Sequence, residues 1–147
     1  MRWDIQNQLS NAQAFTATAV STNSYEKQTA AQDLSIGRPM SVLVAPTVSA
    51  GAGSTHVLAC IQADDAALTT NVEVLGSVTV LAAALLAGTM IEIPIPQGVM
   101  TRKYIGFRDT ISGGTTTVTL DAYLVPSDEI PKSKAFAKVV DAEVTYI

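Results

Sequence analysis

Apolar and polar residues alternate with a period of two along most of this chain, and helical spacing of apolar residues is nearly absent. In residues 72–80, Val72, Val74, Val78 and Val80 face one way while Glu73, Ser77 and Thr79 face the other, as in a half-buried antiparallel strand. Residues 115–125 repeat the design, with Val118, Leu120, Ala122 and Leu124 inward and Thr117, Thr119, Asp121 and Tyr123 outward. The Ser112-Gly113-Gly114 turn precedes them and follows the strand pattern of residues 103–108, which predicts a hairpin. Residues 90–95 set Ile91, Ile93 and Ile95 on one face. Pro94 has no N–H to give to a ladder, so this strand is expected at an edge or a bulge. Shorter patterns over 15–20, 40–45 and 56–63 complete the set, the last apolar on both faces and therefore central.

The connections carry turn chemistry and no helical crossovers. Residues 48–54, Val-Ser-Ala-Gly-Ala-Gly-Ser, read as a flexible loop, and residues 82–87 followed by Gly88 as one or two helical turns with a C′ glycine. About seven short antiparallel strands joined in this way predict an all-β sandwich or barrel. The polar residues 1–14 read as an N-terminal arm, residues 15–126 as the domain, and residues 127–147 as a linker with a C-terminal strand or arm. In that last stretch Val140, Ala142, Val144 and Tyr146 alternate with polar residues. They predict a terminal strand that closes the chain's own sheet or adds to a neighbour's edge.

Composition narrows the function. A chain of 147 residues is the size of one domain and buries about 68% of its unfolded surface, so a core can form without staples. The single Cys60 cannot make an internal disulfide, and there is no CxxC pair to hold zinc. The net charge is −4 and the basic residues form no stripe, which argues against nucleic acid as a partner. The longest apolar run, residues 80–87, is far short of the ~20 that span a bilayer, so no membrane partner is expected. Asp4 and Gln6 fall where a signal peptide needs apolar residues, so the chain is expected to stay in the cytoplasm in which it is made.

Candidate chemistry is sparse. His56 is the one histidine, too few for the metal site of a cupin, and it reads as a solvated or hydrogen-bonded residue at a strand end. Cys60, between Leu58 and Gln62 in the alternation, reads as a buried, unreactive thiol. Asp64-Asp65 reads as a strand-end turn rather than a cation site. Gly51-Ala52-Gly53 lacks the third glycine, lysine and helix of a phosphate loop. Glu92 and Asp121 could flank a glycosidic bond in principle, but both fall on outer strand faces where carboxylates are solvated. No catalytic, cofactor or metal residue emerges, and no enzymatic activity is expected. Arg102, Tyr104 and Arg108 share one face of one strand and form a candidate protein contact.

Several segments together resemble a known family. These are residues 85–96, Leu-Leu-Ala-Gly-Thr-Met-Ile-Glu-Ile-Pro-Ile-Pro; residues 102–108, Arg-Lys-Tyr-Ile-Gly-Phe-Arg; the glycine turn; residues 115–125; and the opening residues 9–19. They resemble the small jelly-roll cement, or decoration, proteins of tailed-bacteriophage heads, over nearly the whole chain to about Val125. The motifs are structural and carry no chemistry of their own. The resemblance implies a jelly-roll β-sandwich with extended N- and C-terminal arms and a role without catalysis or cofactor. Such a protein is made in the host cytoplasm and binds the outer surface of the capsid at junctions between major capsid proteins. There it stabilises the shell, usually as a homodimer or homotrimer. Arg2, Trp3 and Asp4 in the arm and Lys132, Lys134 and Lys138 in the tail would then join Arg102, Tyr104 and Arg108 as capsid or oligomer contacts, with Trp3 as an anchor. The alternative is a ligand-binding β-sandwich, such as a carbohydrate-binding or host-adhesion module. The aromatic content of 5% leaves few rings for the platform such modules use.

Overall fold

The computed structural model describes residues 7–51, 53–114 and 117–130. Nine strands form: β1 (Gln8–Phe15), β2 (Ala19–Val20), β3 (Tyr25–Glu26), β4 (Met40–Val48), β5 (Thr55–Ala63), β6 (Glu73–Leu81), β7 (Ile91–Ile95), β8 (Tyr104–Ser112) and β9 (Val118–Pro126). One sheet has the order β1-β9-β4-β7 and the other β2-β8-β5-β6, with β3 also paired to β8, and every pairing is antiparallel. The chain passes from sheet to sheet at nearly every connection. This is the double Greek-key winding of a jelly-roll sandwich.

Both sheets turn an apolar face inward. Val42, Val44, Ile91, Ile93, Val118, Leu120, Ala122 and Leu124 come from one sheet, and Leu58, Cys60, Val78, Val80, Ile105 and Phe107 from the other. Phe15 and Phe107 meet edge to face across this core, with centroids 5.7 Å apart and planes at 87°. The inward set expected for β9 is buried throughout. β7 lies at a sheet edge, and β5 is interior to its sheet with both faces covered.

Several expectations are corrected. β8 and β9 do not form a hairpin: they lie in opposite sheets of the sandwich. Alternation fixes which face of each strand is apolar. It does not distinguish a strand that folds back beside its predecessor from one that crosses to face it. The segment assigned to an arm, residues 1–14, contains all of β1 but its last residue: Leu9 is fully buried there, and the strand ends on the fully buried Phe15. Register shifts between Gln8/Ser10 and Ser10/Gln13, with Ala12 at φ 47°, break its alternation, and Ser10 and Gln13 spend their side chains on the Leu120 and Val20 carbonyls. The expected strand over 15–20 is split, since β1 ends at Phe15 and β2 starts at Ala19.

In β6 the phase changes midway. Pairing steps from Cys60–Gly76 to Ile61–Val74, so Leu75 is the extra residue of a bulge. Leu75 turns inward while Val74 is half exposed, contrary to the single face expected for the valines. The predicted helical turn is one 3-10 turn over Ala82–Ala84, and Gly88 follows with φ 86°. Glu92 is buried rather than solvated: Ser41 Oγ donates to it at 2.7 Å, and Ser127 Oγ lies 2.6 Å from Ser41 Oγ. Part of the supposed linker packs as well, because Ile130 covers Leu43 and Val125 on the outer face of the β4–β9 pair. The terminal strand expected over 140–146 lies outside the described residues.

Candidate functional site

The side chains of Tyr104 and Arg108 do share the outer face of β8, as the alternation predicts. β5 lies beside them with Ala59, Ile61 and Ala63, which pair with Arg108, Gly106 and Tyr104. These alanines and Ile61 form a second apolar cluster outside the main core, with Val20, Val72 and Tyr104 against it and Leu68 as its lid. Gly106 makes room for that lid: a Cβ there would stand 2.2 Å from a Leu68 methyl carbon. Leu68 itself takes a left-handed conformation, φ 59°, at the tip of the β5–β6 turn. Arg108 is half-buried on this face, and its Nε has no hydrogen-bond partner among the described residues.

Arg102 does not belong to the patch. It precedes β8 and is clamped by two carboxylates, with its guanidinium 3.0 Å from Asp64 and in contact with Glu73. These bonds hold the Glu73 and Asp64 carboxyls below their ordinary values; for Asp64 the Asn71 amide contributes first, for Glu73 the Arg102 guanidinium. Gln62, buried beneath, accepts from the backbone N–H groups of Thr101 and Arg102 at 2.9 and 3.1 Å and donates to Glu73. Asp65 caps its own turn through Thr69 and Thr70. The acidic pair and Arg102 therefore form a structural knot at one end of the sandwich. Arg2, Trp3, Asp4, Lys132, Lys134 and Lys138 lie outside the described residues.

The structure brings together one constellation that the sequence reading did not assemble. His56 Nδ1 lies 2.8 Å from Asp109 Oδ2, and Nε2 lies 2.9 Å from Ser54 Oγ. With a proton on Nδ1, one tautomer serves both bonds: the ring donates to the carboxylate and accepts from the serine. This is the order of groups in a nucleophilic triad. Its setting differs, because His56 and Asp109 are fully buried and Ser54 is 4% exposed. The hydroxyl faces the interior, and the network ties the 49–54 loop to β5 and β8. Asp109 Oδ1 has no hydrogen-bond partner among the described residues, and burial raises the carboxyl's pKa against the opposing bond to His56. A sequence signal was available: His56 and Asp109 each occupy an inward position in an otherwise apolar alternation, two polar residues that need each other.

Cys60 is buried in the core and burial pushes its thiol up, as expected for an inert cysteine. Among the described residues, no group of three or more His, Cys, Asp or Glu side chains could hold a metal ion. No curated protein matches the sequence. The Bbp16 family model matches residues 9–124, from the first buried leucine of β1 almost to the end of β9. The match thus spans the whole two-sheet sandwich, and the chain belongs to the phage-associated Bbp16 family.

Proposed function

We propose that this protein is a non-enzymatic decoration protein of a bacteriophage head. In this reading it binds the outer surface of the capsid at junctions between major capsid proteins and stabilises the shell, acting with further copies of itself and without nucleic acid, membrane or cofactor. The observation that carries the proposal is membership of the Bbp16 family over the full sandwich. Two features support it. The nucleophile-like serine is enclosed and the clustered carboxylates are engaged in holding turns, so the described residues offer contact surfaces more readily than a reaction centre. The two phenylalanines among the described residues meet edge to face inside the core, which leaves the sugar-binding alternative without them as a platform.

Mass spectrometry of purified virions tests the reading directly. The protein should be present in many copies and be accessible to protease on intact heads; absence from virions refutes the proposal. Heads assembled without it should release DNA at lower temperature than complete heads, and adding the purified chain should restore them. Chains shortened by residues 1–6 or 131–147 should bind heads more weakly if Arg2, Trp3, Asp4, Lys132, Lys134 and Lys138 carry contacts.

A further inference from the structure

The cations of the described residues are nearly all engaged. Arg38 and Lys103 hold Asp128 and Glu26, Arg102 holds Asp64 and Glu73, and Lys27 is spent on three carbonyls. Arg108 differs: it makes no hydrogen bond or ion pair among the described residues. Nor is it a free surface cation. The side chain is half-buried and its Nε is enclosed without a partner, a desolvation cost that the folded chain already carries. The terminal Nη1 and Nη2 nitrogens, equally without a bond, are not enclosed in this way.

The surroundings of Arg108 carry no charge. Val20 and Ala59, its register partners on the two flanking strands, are apolar, and Ala59 is 1% exposed. Farther along the same outer face come Val57, Thr110, Ser77 and Thr79. One cation thus stands alone on a neutral sheet face, beyond the Arg102 knot at the strand ends.

We infer that Arg108 receives an aspartate or glutamate carboxylate from a different protein docked on the outer face of the β8–β5–β6 sheet. This rests on the decoration reading above, which makes that protein the major capsid protein. The acid would meet the two Nη groups, and its uncharged neighbours would cover Val20, Val57 and Tyr104. An enclosed Nε restricts how the guanidinium can turn, so the fork loses little rotamer freedom when the carboxylate arrives. Neutral contacts around it would exclude water, as they do around an arginine hot spot.

Charge also selects the occupant. A second copy bringing the same face would set Arg108 against Arg108 with no carboxylate between them. A copy turned another way has no unengaged acid to offer among the described residues. Glu26, Asp64, Glu73 and Asp128 are in ion pairs, Glu92 and Asp109 are buried, and Asp33, Asp65 and Asp121 are bonded to Ser35, to the Thr69–Thr70 turn and to the Ala12 N–H.

Co-sedimentation of the purified full-length chain with heads assembled without it tests the inference. Arg108→Met should weaken binding by at least about tenfold and Arg108→Glu by more, while Arg38→Gln, at the other arginine of an exposed pair, should bind as the wild type does. Salt should weaken the wild type more than Arg108→Met. In urea unfolding Arg108→Met should be as stable as the wild type or more so, because it removes an enclosed nitrogen and no bond to a described residue. Full binding by Arg108→Met to heads that the wild type decorates overturns this inference and leaves the decoration reading standing; a wild-type chain that does not bind heads overturns both. The inference also falls if salt acts equally on the two chains. A marked loss of stability in Arg108→Met would assign the arginine a partner within its own chain, and altered self-association in place of altered head binding would assign the face to a second copy; either result overturns it.

Discussion

The enclosed His56–Asp109 pair gives a prediction whose size and sign both follow from geometry. Both side chains are fully buried; one carboxyl oxygen is bonded to the imidazole and the other has no partner among the described residues. His56→Ala removes that bond and strands a carboxyl in the interior, an expected loss of about 3–5 kcal/mol of stability. Asp109→Asn keeps the shape, and its amide oxygen can still accept from Nδ1–H. It places an unpartnered NH2 where an unpartnered oxygen stood, so the loss should be about 1 kcal/mol.

The two variants also differ with pH. Burial raises the Asp109 carboxyl pKa in the folded chain, with the His56 bond opposing. The folded state therefore holds this proton more tightly than the unfolded one does. The associated stability is full below the unfolded pKa and is lost as pH rises through the folded one. Asp109→Asn lacks this limb, so its stability relative to the wild type should improve as pH rises from acid towards neutral. Urea unfolding followed by far-UV circular dichroism at a series of pH values measures both effects. The reasoning is refuted if Asp109→Asn costs as much as His56→Ala, or if its difference from the wild type is flat with pH.

Four further perturbations separate kinds of contact. A Cβ on Gly76 would stand 2.4 Å from the Pro94 carbonyl oxygen, where β6 passes close to β7, so Gly76→Ala should cost about 1–3 kcal/mol by thermal melt. Gly106→Ala meets only the flexible end of Leu68, and adding Leu68→Ala should recover part of its loss, a coupling that a double-mutant cycle reads out. Lys27 is buried and donates to the carbonyls of Ala30, Gln32 and Met100, so Lys27→Met should cost about 2–4 kcal/mol in urea unfolding and loosen the 27–39 loop in hydrogen exchange. The depressed carboxyls of Asp64 and Glu73 contribute stability above their unfolded pKa values that is lost as pH falls through the folded ones. Arg102→Ala should flatten that acid limb, with a smaller difference from the wild type at high salt.

Much of the secondary structure could be read from single strands. β5, β7, β8 and β9 were visible because a period of two needs only neighbouring residues, and Pro94 marked the β7 edge because a missing N–H is a local fact. β1 was not visible. It holds its place with the buried side chains of Leu9 and Phe15 and with polar groups whose partners, Leu120 and Val20, belong to other strands. The β6 bulge escaped for a related reason: Val74 and Leu75 are both apolar, and only pairing with Ile61 decides which one points inward. Of the suggested contact residues, Tyr104 and Arg108 share a face as the alternation required. Arg102 left them for carboxylates of the β5–β6 turn and the start of β6, a choice made by long-range proximity.

By itself, the sequence determined an all-β domain with small aliphatic inward faces, an inert Cys60 and an edge strand at Pro94. Those properties depend on residue type and local periodicity. Only the tertiary structure decided that β8 and β9 lie in opposite sheets rather than pair, and that Ser54, His56 and Asp109 meet inside the core. Apolar faces specify burial without naming a partner, whereas hydrogen bonds and packed edges between strands far apart in the chain select one winding among those that bury the same faces.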